Sequence, residues 1–416
     1  MKPRVIIFAV LLAAALVGHV VALRMSPEYQ ARVREVEQGF LDFLMANAQE
    51  SFQKAVPESS ADVVLIDFRE EDKAEYGFWP PAPLNYIMLL KKLAPAEPGV
   101  IAFVEPLRWE AGDSQFIPQL RNELVPVPSL VLGFDVSSEA TEMTPEQQKF
   151  KAEGMPSFEV GANDPAAATA VFKSITRLPD PALRMGTEEL GIAKVTLAGK
   201  KESGDEFAFV ASDGTHLVPS LAAQAVSRYR RMASSSVNLR FGTGGRLSLS
   251  DTHIVPLENG GTMKLRAKPE VPRLDALVFF DPLADEPALA ATAQTLGKGK
   301  VLVIGTGRAA LAQAQAIAQA LAVPHLNRAP EWGDWLCAGV MALFSFWQFG
   351  RGRFKALLAG ILLAALAAII CMLTFQSSLW WWSPVPAAVV LATTTLFCFL
   401  WPRRRRVEPE HHGESA

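Results

Sequence analysis

Apolar residues are unevenly distributed along this chain. They form near-continuous runs at Val5–Leu23, Trp335–Phe349, Phe354–Phe375 and Trp382–Trp401, whereas Met25–Asp334 carries charges throughout. A helix that crosses a bilayer core needs about 20 apolar residues. Four transmembrane helices are therefore predicted, at 5–23, 335–349, 354–375 and 382–401, the second of them short. Between the first two lies a domain of ordinary globular patterning, 24–334. Its start, Ser26-Pro27-Glu28, has the residues of a helix N-terminus. Val33, Val36, Phe40, Phe43 and Leu44 recur at helical spacing up to about Ala48, and this apolar face either packs on its own domain or forms a dimer seam.

Short apolar and β-branched runs then alternate with helical patterns. The runs "DVVLID" at 62–67, "GVIAFV" at 99–104, "SLVLGF" at 129–134, "EFAFVA" at 206–211, "DALVFF" at 275–280 and "KVLVIG" at 300–305 read as strands. "NYIMLLKKLA" between the first two reads as a helix, so strand, helix, strand implies parallel pairing through a right-handed crossover. The fold class expected is an α/β extracytoplasmic domain with a mostly parallel or mixed sheet, plus four transmembrane α-helices. Residues 137–170, rich in Glu, Ala, Pro and Thr, read as a long loop or irregular insertion.

Charge fixes an orientation. The net charge of −3 over 416 residues gives no reason to expect a nucleic-acid partner. Locally, Lys2 and Arg4, then Arg351, Arg353 and Lys355, then Arg403 to Arg406 border alternate ends of the apolar runs. Under the positive-inside rule these are cytoplasmic. "QSSLWWWSPVP" carries no charge, and its tryptophans suit a membrane interface. The topology expected places 1–4 inside, 24–334 outside, 350–353 inside, 376–381 outside and the tail 402–416 inside, in an inner (plasma) membrane. Val5–Leu23 is either an uncleaved anchor or a signal peptide, since Val20-Val21-Ala22 resembles a cleavage site. Both readings export the domain. Cys337, Cys371 and Cys398 all fall in the spans, which leaves the exported domain without disulfides.

The order of "VVLIDFREEDKAEYGFWPPAP", "VIAFVEPL", "ASDGTHLVPSLAAQAV", "IVPLENGGTMKLR", "VLVIGTGRAALAQAQAIAQAL" and "RAPEW" before three spans resembles the CHASE type 2 domain. This is an extracytoplasmic sensory domain associated with cyclases and histidine kinases, and the likeness runs from about Asp62 to Trp401. It implies a sensor. Family members usually carry an output module after the third of those spans, where this sequence has only a short polar tail. The expectation is therefore a sensor that relays to a membrane-embedded signalling partner or acts as a homodimer. Pro81 stands where the family tends to have an aromatic, and Val104, beside Glu105, where it tends to have Asp.

Candidate chemistry is sparse. Gly305, Gly307 and Ala310 match G-x-G-x-x-A between a strand and a helix, the pattern that cradles a pyrophosphate. No second βαβ unit and no acid at ribose-binding spacing follow, so the other reading is a tight turn with Arg308 available to an anion. No cofactor is expected. Asp67, Glu70, Glu71 and Asp72 follow one strand, and Glu105 and Glu110 the next. If those strands are adjacent and parallel, both groups sit where α/β folds bind ligands, as a cation or amine site or as a solvated acidic rim. Trp79 caps the core or lines a pocket, and Asp213-Gly214 reads as a turn. His19 and His216 lack partners at metal-ligand spacing, so no metal is expected. The ligand-binding candidates are Asp67, Trp79, Glu105, Asp213 and Arg308, for a small molecule the sequence does not identify. No nucleophile elbow, P-loop or kinase loop is present, so no enzyme is expected. The alternatives are a structural or scaffolding envelope protein and a nucleotide-dependent enzyme.

Overall fold

The computed structural model describes residues 3–54, 58–69, 71, 80–109, 114–158, 168–186, 189–196, 206–233, 237–242, 244–250, 252–258, 260–265, 269–280, 286–323, 326–349 and 353–400. The expectations for Glu70, Asp72, Trp79, Glu110 and Arg403–Arg406 lie outside the described residues. The chain divides into two compact units, residues 42–326 and residues 1–41 together with 327–416.

The first unit is built on one sheet. Its strands are β1 (Val63–Asp67), β2 (Val100–Phe103), β3 (Leu130–Ser137), β4 (Ser174–Arg177), β5 (Leu190–Thr196), β6 (Arg273–Asp275) and β7 (Val301–Gly305). They lie in the order β6-β1-β7-β2-β3-β4, with β5 also paired to β3, and all are parallel except β4 against β3. The strands β1 and β2 are therefore not neighbours, as the strand-helix-strand pattern suggested. The strand β7, about 200 residues later, lies between them, with Leu65 opposite Val303 on one side and Ala102 opposite Val303 on the other.

Burial on both faces explains why β1, β2, β3 and β7 read as unbroken apolar runs. Val63, Leu65, Val100, Ala102, Val301 and Val303 face helices α6 (Leu221–Tyr229) and α8 (Gly307–Ala322) through residues such as Leu221, Ala314 and Ile317. Val64, Ile66, Ile101, Phe103, Leu302 and Ile304 face α3 (Pro83–Leu93) and α4 (Ile117–Leu124) through Tyr86, Leu90, Leu120 and Leu124. The result is a three-layer α/β/α core.

Three expectations need correction. "DALVFF" contributes only the end of β6 before turning into a 3-10 helix, because Asp275 Oδ1 accepts a hydrogen bond from Leu277 N at 2.9 Å and stops the strand. "EFAFVA" splits into Glu206–Ala208 and Val210–Ser212, which pair in different small sheets. The insertion after 137 is partly ordered: Thr144 and Gln147 form a reciprocal capping box at the start of α5 (Pro145–Lys149), and Phe150 stacks edge-on against Phe134. Residues 159–167 of that stretch lie outside the described residues.

The second unit holds the apolar helices α1 (Pro3–Met25), α9 (Glu331–Phe349), α10 (Arg353–Ser378) and α11 (Val385–Leu400). Two of them are long and apolar enough to cross a bilayer, at Ile6–Met25 and Leu357–Ser378, each with a mean hydropathy of 2.7. Trp332–Phe344 and Val385–Phe397 form shorter apolar helical segments. Phe8, Ala338, Val390 and Phe397 pack as a small core between α1, α9 and α11. Trp381 is buried, with the Arg328 guanidinium over its ring at 5.6 Å, whereas Trp380 beside it is exposed.

Helix α2 (Pro27–Lys54) starts where its N-cap residues indicate, with Tyr29 N donating to Ser26 Oγ at 3.2 Å. Its buried positions are Leu41, Leu44 and Met45, while Val36 and Phe43 are exposed. These last two belong to the apolar face that the sequence left open between packing on its own domain and a dimer seam. Asp42 on the same helix receives two guanidinium groups, the buried Arg246 on its Oδ1 and Arg240 on its Oδ2 at 2.6 Å. Removing one partner of such a pair strands a buried charge at a cost of about 3–5 kcal/mol. The Asp42→Ala variant should lose stability on that scale in denaturant unfolding of the full chain in detergent. Adding Arg246→Met should return much of it. A double variant no more stable than the single would place the cost elsewhere.

Candidate functional site

The carboxyl edge of the sheet gathers the polar side chains of the α/β unit. Its centre is the turn from β7 into α8, Gly305-Thr306-Gly307. Gly307 holds a φ of +62°, and a side chain on Gly305 would meet Glu105 Oε2 at 2.9 Å and Val104 Cβ at 2.8 Å. Both glycines are required by geometry, one for backbone conformation and one for close approach. What approaches is the carboxylate from the end of β2: Glu105 Oε1 accepts a hydrogen bond from Thr306 N at 2.8 Å. The helix N-terminus, where a phosphate would sit in a nucleotide-binding turn, already meets a carboxyl group of the chain itself. Ala310, the last residue of the motif, is fully buried between strand and helix. The G-x-G-x-x-A pattern thus serves an internal contact.

Asp135 lies farther along β3, beyond the pairing with β2. Its direct cross-strand neighbours are Arg177 on β4 and Lys194 on β5, and both pairings shift register at this residue. Burial nevertheless raises the Asp135 carboxyl to about 6, against the pull of Arg177 and then Lys194. Burial is also the main cause at Glu105, whose carboxyl rises to about 7 although the Thr306 N–H opposes the shift and Asp135 adds to it. In both cases the loss of hydration outweighs the nearby positive charge.

On the other side of the turn, Asp67 ends β1. Its cross-strand neighbours are Gly305 and Asp275. Burial raises its pKa above the usual carboxylate value, offset by the Gly307 N–H and by Arg273 and Arg69. Asp67 Oδ1 is buried without a hydrogen-bond partner among the described residues, and Arg69 reaches Asp275 at 3.5 Å. The expected convergence of Asp67 and Glu105 at one edge therefore holds, with β7 and its turn between them.

Other candidates lie elsewhere or face outward. Arg308 is exposed on the first turn of α8. Asp213 closes the turn between Val210–Ser212 and Leu217–Pro219, and its Oδ1 accepts from Thr215 N at 2.8 Å and His216 N at 2.7 Å. Burial pushes its carboxyl up, but these backbone donors and the Thr215 and His216 side chains hold it below the ordinary value overall. Its lone pairs are spent on the turn, which is a structural role. Arg177 and Lys194 are not legible in the sequence, because their relation to Asp135 arises only through the pairing of β4 and β5 with β3. Among the described residues no group of three or more His, Cys, Asp or Glu side chains is placed to hold a metal ion.

Glu105 keeps its proton to about pH 7 in the folded chain, whereas an unperturbed glutamate loses it near 4.5. Its contribution to stability is complete below the lower value and is lost as the pH rises through the higher one. Glu105→Gln stays neutral and retains an oxygen for Thr306 N. Its thermal midpoint should therefore fall less than the wild type's over that window and exceed it above pH 7, the difference corresponding to up to about 3 kcal/mol of stability. Parallel midpoint–pH curves for the two proteins would show that Glu105 does not titrate in this range.

Comparison with families of known domains places residues 12–347 in register with the CHASE2 domain. Neither the curated proteins nor the solved structures contain a match. The matched span takes in the whole α/β unit and most of the apolar helices α1 and α9 beside it. On that match the chain belongs to the CHASE2 domain family, a family of extracytoplasmic sensory domains.

Proposed function

We propose that this protein is a multi-pass inner-membrane receptor. Its α/β unit lies outside the cytoplasm and detects a signal, which the helices hand to a membrane-embedded partner. The observation that carries this reading is the CHASE2 match together with apolar helices on both flanks of the matched α/β unit. The four-span arrangement, with N-terminus and C-terminus inside, adds the shorter helices α9 and α11 as spans and rests on the positions of the basic residues. For the signal itself the reading favours the carboxyl edge. There Glu105 and Asp135 change charge near neutral pH, and Asp67 Oδ1 has a free acceptor.

Relay is supported by Arg328, on the segment that leaves the α/β unit. It pairs with Glu37 of α2 at 2.9 Å and lies 3.7 Å from Asp334 of α9. Asp334 Oδ1 in turn accepts from Ser383 N at the start of α11, at 2.8 Å. A second reading is a scaffolding envelope protein, favoured by the degree to which the charges at the sheet edge already neutralise one another.

Two experiments test these readings. A reporter active only in the cytoplasm should work when fused after Arg353 or Arg406 and fail after Lys200 or Ser378. Activity after Lys200 would overturn the exported placement. Thermal unfolding of the full chain against panels of metabolites, ions and cell-wall fragments should find a stabiliser that follows RT ln(1 + [L]/Kd) and loses effect in Glu105→Gln. Silence across the panels would favour the scaffold.

A further inference from the structure

At the amino edge of the same sheet, opposite the Glu105 site, lies a cavity of about 980 Å³. That is the upper end of the range for small-molecule pockets, roughly 300–1,000 Å³. Its apolar wall comes from Leu90, Ile101 and Val127, and Tyr229 and Arg228 close it from the end of α6. Two loops form its rim. Glu97-Pro98-Gly99 leads into β2 and Lys298-Gly299-Lys300 into β7, and they clasp each other: Gly99 N donates to Lys300 O at 2.9 Å and Gly299 N to Glu97 O at 3.0 Å.

Backbone strain marks this cavity. Three non-glycine residues among those described hold a positive φ, and two of them, Glu97 at 45° and Arg231 at 57°, line it. Both follow helical segments, the position where chains ordinarily place glycine. Keeping a side chain there costs free energy, and such strain concentrates at ligand clamps. At Glu97 the side chain has an evident use, an ion pair with Lys298 across the two loops. Arg231 makes no ion pair among the described residues and is exposed at the cavity.

The sign of the cavity follows from counting charges. Glu97 is matched by Lys298, and Glu123 by Lys91 at 3.6 Å. The helices α3, α4 and α6 point their negative ends toward this edge, but each carries a basic residue in its last turn, Lys91 and Lys92, Arg121 and Arg228. Arg228 also lies within electrostatic reach of Glu189. The charge left over is Arg231. We propose that this cavity binds an amphipathic monoanion, its apolar body against Leu90, Ile101 and Val127 and its carboxylate or equivalent head on Arg231.

The test uses 4-phenylbutyrate as probe and its uncharged amide as control, titrated calorimetrically into the full chain in phosphatidylcholine nanodiscs. Binding of the carboxylate, with the amide at least about tenfold weaker, is expected. Arg231→Asn removes the cation while tolerating a left-handed backbone. It should weaken the carboxylate by about tenfold or more with no drop in thermal midpoint. Val127→Trp should exclude both compounds, and Glu105→Gln should change neither, which separates this site from the carboxyl edge. Equal binding of acid and amide, undiminished binding by Arg231→Asn, or no binding of 4-phenylbutyrate at about 10 mM would each overturn the proposal.

Discussion

The strand β7 is the constraint on which the α/β unit depends. Among the described residues it alone pairs with both β1 and β2, so until residues near 301 arrive these first strands have no shared partner. The contacts that complete the sheet are correspondingly long in sequence: Glu105 receives Thr306 N across 201 positions, and Phe68 O receives Thr306 Oγ1 across 238. Loop closure of that length must be offset by burial on both faces of a fully apolar strand, which is what Val301–Ile304 supplies. The same insertion creates the site. By ending between β1 and β2, β7 delivers a helix N-terminus to the gap between Asp67 and Glu105.

That delivery explains the chemistry of the edge. A helix N-terminus attracts negative charge, and here the nearest negative group belongs to the chain. Glu105 is held between two opposed demands: the Thr306 N–H favours its carboxylate, while the apolar surroundings favour the acid. The second wins, and burial raises its carboxyl to about 7. Asp135 is balanced in a comparable way between burial and two flanking cations. A sheet edge whose carboxyls rest close to their own midpoints responds to any change in local potential. An edge of ordinary acidic surface residues would not.

The sequence disclosed elements whose cause is local and hid those whose cause is remote. Ser26-Pro27, the Asp213-Gly214 turn and the doubly buried strands are written in neighbouring residues, through capping, turn geometry and unbroken apolar runs, and each was found. The adjacency of β1 and β2 was misjudged because nothing between residues 67 and 100 signals that a later strand will separate them. "DALVFF" failed because one side chain, Asp275, competes with the ladder for the backbone. Val36 and Phe43 lie on an apolar face of α2 that is exposed in this chain, since helical spacing identifies such a face without identifying its partner. That the G-x-G-x-x-A turn packs against Glu105 could be read only from the fold. Arg177 and Lys194 left no signal, since their relation to Asp135 exists only through strand pairing.

The two chain connections between the units are each tied down by contacts within a unit. In the α/β unit, the incoming helix α2 is tied by Asp42 to Arg240 and Arg246, both on a small antiparallel sheet of Asn238–Arg240, Arg246–Ser248 and Ile254–Pro256. The outgoing chain is tied to that sheet as well, through Leu326 N donating to Thr252 O at 2.7 Å. In the helical unit the two connections meet again, through Glu37 on α2 and Arg328 just past the outgoing boundary. Entry and exit are thus tied together within each unit. In the α/β unit Asp42 meets the buried Arg246, whose guanidinium could be stranded out of water only at a large cost in free energy.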